Sequence, residues 1–99
     1  MAHPEVTVVA RIRAKKGLER RVKAELLALI VPTRAEKGCI IYDLHLSADD
    51  PGLFMFYENW TSREALDQHM GMPYLKAFLA KEKEILDGPA EVTLWEKIS

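Results

Sequence analysis

The sequence predicts an α+β domain of the ferredoxin-like class: strand, helix, strand, strand, broken helix, strand, with a four-stranded antiparallel sheet carrying helices on one face. Three observations lead there. Four short stretches of alternating or aromatic character are separated by amphipathic segments of helical period. The second and third strands are joined by a hairpin-length loop, Ala48-Asp-Asp-Pro-Gly52. The 99 residues suit a single domain over 1–99, with 1–4 expected to fray.

In chain order, residues 6–14 alternate: Val6, Val8, Ala10 and Ile12 face one way, and Thr7, Val9, Arg11 and Arg13 the other. Lys15-Lys16-Gly17 turns the chain. Residues 18–31 follow as an amphipathic helix, with Leu18, Val22, Leu26, Leu29 and Ile30 on the apolar stripe and Glu19 and Lys23 as an outer i,i+4 pair. Pro32 is expected to kink or break that helix, and Gly38 to end the following turn. Residues 39–47 form the second strand, with Ile40, Tyr42, Leu44 and Leu46 on one face and Ile41, Asp43 and His45 on the other.

The stretch 53–78 holds most of the chemistry-bearing side chains. Residues 54–60 read as an aromatic strand, and Thr61 with Glu64 fits a capping box for the helix that starts at once. Leu66 and Met70 mark its buried stripe. Gly71-Met72-Pro73 interrupts, with Pro73 suited to the first position of a new helix. Leu75, Phe78, Leu79, Ile85 and Leu86 give that helix its apolar face; Asp87-Gly88-Pro89 stops it, and residues 91–98 form a final strand with Trp95. Val9, Ile41, Phe54 and Phe56 are expected on the uncovered sheet face, which is too apolar for open water. Such a face marks an interface, and a homodimer through the sheets is the simplest remedy.

Composition narrows the function classes. Fourteen basic and 15 acidic residues, interspersed to a net charge of −1, leave no footprint for nucleic acid. No apolar run approaches the length of a membrane span, and the first residues lack the pattern of a secretory leader, so a cytoplasmic protein is expected. The single cysteine, Cys39, excludes an intrachain disulfide and a Cys-based zinc site, and is expected to be a buried, inert thiol. Asp43 and His45 share a strand face, but two mixed ligands make a poor metal signal. No phosphate loop, Ser-His-Asp order or dinucleotide fingerprint occurs.

Four segments carry a family resemblance: Val6-Thr-Val-Val-Ala-Arg-Ile-Arg-Ala-Lys15, Pro32-Thr-Arg-Ala-Glu-Lys-Gly-Cys-Ile-Ile-Tyr42, Phe56-Tyr-Glu-Asn-Trp60 and Ala65-Leu-Asp-Gln-His69. In order and spacing the chain resembles the antibiotic biosynthesis monooxygenase domain, most of all its small stand-alone, quinol-monooxygenase-like members. The resemblance implies a dimeric α+β barrel of two facing sheets. It also implies oxidation of a phenol, quinol or anthrone-like molecule by dioxygen without a cofactor. The haem-degrading branch of the family uses Asn, Trp and His at places occupied here by Ala10, His69 and Leu79, so haem is not expected. Many relatives read Pro-His where this chain has Pro73-Tyr74; any chemistry of that histidine falls here to His69 or Tyr74.

Each candidate also has a structural alternative. His69 borders the buried stripe and could be a general base near neutral pH, or a core histidine bonded to a backbone carbonyl. Trp60 could stack on a planar substrate or simply pack in the core. Tyr57 and Tyr74 could orient a phenolic substrate or be core tyrosines, and Asn59 could hold a substrate oxygen or cap an exposed strand end. Glu58, a carboxylate within an aromatic strand, needs a partner, and Arg11 on the neighbouring first strand is expected to form a structural ion pair with it. The expected site therefore has His69 as base, Tyr74 or Asn59 steadying the oxyanion, and Trp60, Tyr57 and Phe78 shaping a dry cavity. The alternatives are a non-oxidative isomerase of a small carbonyl compound, with His69 as proton shuttle, and a non-catalytic ligand-binding dimer.

Overall fold

The two richest β-forming stretches take the middle of the sheet. β1 (Val6–Arg13) and β3 (Leu53–Trp60) pair antiparallel, with Val6 opposite Trp60 and Arg13 opposite Leu53. In the computed structural model, which describes residues 5–99, β2 (Cys39–Leu46) and β4 (Glu91–Trp95) flank them in the order β2-β3-β1-β4, all antiparallel. This is the expected ferredoxin-like α+β fold. The expected fraying of 1–4, with His3, lies outside the described residues.

The helices α1 (Glu19–Leu27), α2 (Ile30–Arg34), α3 (Arg63–Met70), α4 (Pro73–Leu79) and α5 (Glu82–Ile85) cover one sheet face. Val22 and Leu26 of α1, Leu66 of α3, Leu75 and Phe78 of α4 and Ile85 of α5 are buried against Val8, Ala10, Ile12, Tyr42, Phe54, Phe56 and Trp60. Each large apolar side chain so buried contributes about 1.5–3 kcal/mol.

Several details differ from the sequence expectation. Phe54 and Phe56 lie beneath the helices, not on the uncovered face. With a period of two, they share the side taken by Glu58 and Trp60, all four being buried. The expected Arg11–Glu58 ion pair does not form. Arg11 is exposed opposite Met55 on the other face, whereas Glu58 is buried opposite Val8 and Tyr42. A register shift between Cys39 and Ile41 leaves Ile40 exposed.

The first long helix breaks at Ala28–Leu29, ahead of Pro32, which sits in the first turn of α2. A proline ring crowds the carbonyl four residues back, here Ala28, so the chain leaves helical register there and restarts. The cap of α3 is Ser62, whose Oγ accepts the Ala65 N–H at 3.1 Å, and not Thr61. The Thr61 N–H instead donates to the Gly38 carbonyl at 2.9 Å, tying the start of β2 to the end of β3. The last strand ends at Trp95, not Ile98. Gly88, at φ +90°, makes the turn into it, a conformation that favours glycine.

Gly38 also fixes how closely β2 approaches α3, because a Cβ there would overlap the Ala65 Cβ and lie 3.0 Å from Thr61 Oγ1. The Gly38→Ala variant is therefore expected to lose about 1–3 kcal/mol of stability, read as a lower urea midpoint with unchanged slope.

Candidate active site

Strand alternation and helix period converge on one buried cluster. Leu66 and His69, three apart on α3, point at the sheet, and His69 is 2% exposed. Its imidazole lies against the Trp60 indole, with centroids 4.5 Å apart and planes tilted 32°. Tyr42 meets it edge-on at 5.5 Å. His69 Nδ1 is 2.7 Å from Glu36 Oε2, and the Tyr74 hydroxyl donates a short hydrogen bond to the same oxygen. That hydroxyl also lies 3.3 Å from the Pro32 carbonyl oxygen.

An ionised carboxylate can only accept, so Nδ1 carries hydrogen and, in the neutral ring, Nε2 keeps the free lone pair. The chain Tyr74–Glu36–His69 thereby fixes both the ring orientation and its tautomer. Burial, then the hydrogen bond to Glu36, raises the Tyr74 phenol, so it stays a donor. Burial likewise raises Tyr42. The half-buried Cys39 thiol is pushed up to about 11 by burial and by the nearby Glu36 and Glu58.

Trp60 Nε1 donates to Glu58 Oε1 at 2.9 Å. Glu58 is 5% exposed and has no cationic partner among the described residues. Burial pushes its carboxyl from the ordinary 4.5 up to about 7, the Trp60 hydrogen bond opposing the rise and the charge of Glu36 adding to it. Glu58 and His69 both line a cavity of about 50 Å³ between sheet and helices. Glu58, His69 and Tyr42 are its polar lining side chains; Val8, Phe56, Leu66 and Phe78 are among its apolar walls, and the part-exposed Met70, Leu79 and Val92 form its rim.

Of the residues singled out in the sequence, the structure brings together His69, Trp60, Phe78 and, through Glu36, Tyr74. It does not bring in Tyr57 or Asn59. Both lie on the uncovered sheet face, where Asn59 Oδ1 accepts the Thr7 hydroxyl at 2.6 Å and Tyr57 is 38% exposed. Tyr74 does not reach the cavity, so its hydroxyl can act only through Glu36. Glu36 and Tyr42, which the sequence does not single out for the site, complete the cluster. Glu36 lies in a turn where no periodicity points to it, whereas Tyr42 shares the strand period that points to the helices.

Asp43 pairs with Arg34 at 3.0 Å, and among the described residues no group of three or more His, Cys, Asp or Glu side chains could hold a metal ion. No helix among them is long and apolar enough to cross a membrane.

The family model described as antibiotic biosynthesis monooxygenase matches residues 5–81. This chain belongs to the antibiotic biosynthesis monooxygenase family. It is 43% identical to the Mycobacterium tuberculosis protein named "Putative monooxygenase Rv0793", over 90% of this chain and 87% of that protein. The solved structure of that relative superposes with a TM-score of 0.90 at 39% identity, covering 96% of each chain. The structure of PA3566 from Pseudomonas aeruginosa superposes with a TM-score of 0.92 at 29% identity, over 100% of this chain and 99% of the other. The match supports a monooxygenase-type function and the fold; the family's substrates are a separate matter, since function resides in the site.

The raised Glu58 carboxyl has a signed consequence. Its folded value lies above its unfolded one, so the folded state binds the proton more tightly. Stability is fullest below about pH 4.5 and is lost as pH rises to about 7, by about 3 kcal/mol in total from this group. Glu58→Gln is expected to flatten that part of the pH–stability curve, measured by urea unfolding from pH 4.5 to 8, and Trp60→Phe to move the loss to higher pH.

Proposed function

We propose that the protein is a monooxygenase that oxidises an electron-rich phenol, quinol or anthrone-like molecule with dioxygen and no bound cofactor, working as a homodimer. One observation carries this reading: a buried imidazole, its Nδ1 against a Glu36 carboxyl that Tyr74 also bonds, lines a largely apolar cavity. Family membership supports the monooxygenase class.

The chemistry needs a substrate anion. Ground-state dioxygen is a triplet and cannot react in one step with a closed-shell molecule. A phenolate avoids this by giving up one electron first, after which the radical pair couples to a peroxide. His69 Nε2 would accept the phenolic proton, and the resulting imidazolium would keep its Nδ1–H on Glu36, a charge-assisted hydrogen bond that favours the anion-forming step. The apolar walls strengthen these interactions by excluding water. A cavity of about 50 Å³ holds dioxygen-sized molecules, while enclosing a benzene ring takes about 150 Å³. The reacting edge of the ring would therefore enter while the remainder displaces the rim at Met70, Leu79 and Val92.

The homodimer is proposed to cover the exposed sheet face, which carries the half-buried Val9, Ile41 and Met55 and the exposed Tyr57 and Trp95. Ile41→Glu is expected to shift the assembly from dimer to monomer in analytical ultracentrifugation; a wild-type monomer at micromolar concentration overturns this part of the reading.

Oxygen uptake against a panel of quinols and anthrones, with and without added flavin, tests the activity. His69→Gln is expected to slow uptake about 100- to 10,000-fold, the range for loss of a positioned base. Turnover that persists under nitrogen would instead favour a proton-shuttling isomerase, a second reading that the paired Glu58 and His69 in one cavity would also serve.

A further inference from the structure

The proposed base accounts for the first proton transfer only, and leaves Glu58 without a task. A buried carboxyl with no cationic partner is costly to ionise, and packing alone would be served better by an apolar side chain. Glu58 is held in a defined pose: Oε1 accepts the Trp60 N–H at 2.9 Å, and Oε2 has no hydrogen bond among the described residues although the side chain lines the cavity. The titratable groups around it are His69 from α3, Glu36 from the turn after α2, and Tyr42 and Cys39 from β2; β1 presents the apolar Val8 opposite it. No lysine or arginine is among the cavity-lining residues. Such a group holds a proton near neutrality and can give it up, because its raised value of about 7 lies at the working range of an acid–base catalyst.

We propose that Glu58 is the second proton-transfer residue of this site: it protonates the peroxide formed from dioxygen, and then removes the hydrogen from the oxygenated carbon. This rests on the monooxygenase reading. The sequence of bonds is as follows. His69 takes the hydroxyl proton, the phenolate and dioxygen couple, and a C–O bond forms at a carbon that carries hydrogen. The terminal oxygen of this peroxide anion takes the Glu58 proton and becomes a hydroperoxide. The Glu58 carboxylate then takes the hydrogen of that carbon as a proton. Its C–H electron pair becomes the second bond of a new carbonyl, and the O–O bond breaks. The departing hydroxide takes the proton held by His69 and leaves as water.

The substrate loses four electrons and dioxygen gains four. One oxygen atom stays on the product, and both residues end in their starting states. The same balance sets the substrate class: a phenol, quinol or anthrone whose reacting carbon bears a hydrogen, since a fully substituted carbon offers none for Glu58 to remove.

Glu58→Gln keeps the shape and an acceptor for the Trp60 N–H but cannot carry the proton. With a quinol that the wild type oxygenates, the variant is expected to keep substrate binding and initial oxygen uptake, while the hydroxyquinone that carries the inserted oxygen falls about 100-fold and the unoxygenated quinone appears instead, with one hydrogen peroxide per dioxygen. A thermal melt confirms that the variant is folded. In the wild type alone, the ratio of hydroxyquinone formed to oxygen consumed is expected to fall as pH rises through about 7. A folded Glu58→Gln enzyme with wild-type hydroxyquinone yield, or a wild-type yield that does not change with pH, overturns the role of Glu58 and leaves the monooxygenase reading intact. Failure of the wild type to take up oxygen with any substrate in the panel overturns both.

Discussion

Strand β3 can turn only every second side chain toward the helices, and with Trp60 fully enclosed there the positions of Phe54, Phe56 and Glu58 follow. A slip of one residue in the pairing with β1 would send the two phenylalanines and the tryptophan into solvent, at a cost of several kcal/mol by area alone. The carboxyl of Glu58 is carried inward by its aromatic neighbours. Its burial follows from the register and is offset by packing elsewhere, and a site results because its nearest polar partner is an indole N–H and not a cation.

The helices complete the arrangement from the other side. Ser62 caps α3 and sets its phase, so that Leu66 and His69 share the buried stripe. The N–H of Thr61, tied to Gly38, brings the loop bearing Glu36 alongside. Pro73 opens α4 at its first position and places Tyr74 within reach of the same carboxylate. Three separate segments thus supply Tyr74, Glu36 and His69, and the imidazole is held by backbone geometry as much as by its own contacts.

Most of this fold could be read in the sequence. The alternation of β1, the hairpin loop before β3 and the breaks at Gly71-Met72-Pro73 and Asp87-Gly88-Pro89 all carry local signals that tertiary packing did not override. The site was legible only in part. His69 announces itself by its spacing from Leu66, but Glu36 sits in a turn with no period to mark it. An acid among aromatics suggests a cation, but counting in twos from Trp60 puts Glu58 beneath the helices, away from Arg11. The same count puts Tyr57 and Asn59 on the uncovered face, since one residue of offset exchanges the two faces of a sheet. The break before Pro32 shows that a proline acts on the residues preceding it, so its own position is a poor marker of where a helix stops.

Cys39 lies at the entry to β2, near both Glu36 and Glu58. Burial pushes that thiol up to about 11, which disfavours the thiolate, the form that attacks a peroxide. Burial first, and the two acids after it, thus disfavour sulfenic acid at the chain's one sulfhydryl, next to a site proposed to pass through a peroxide.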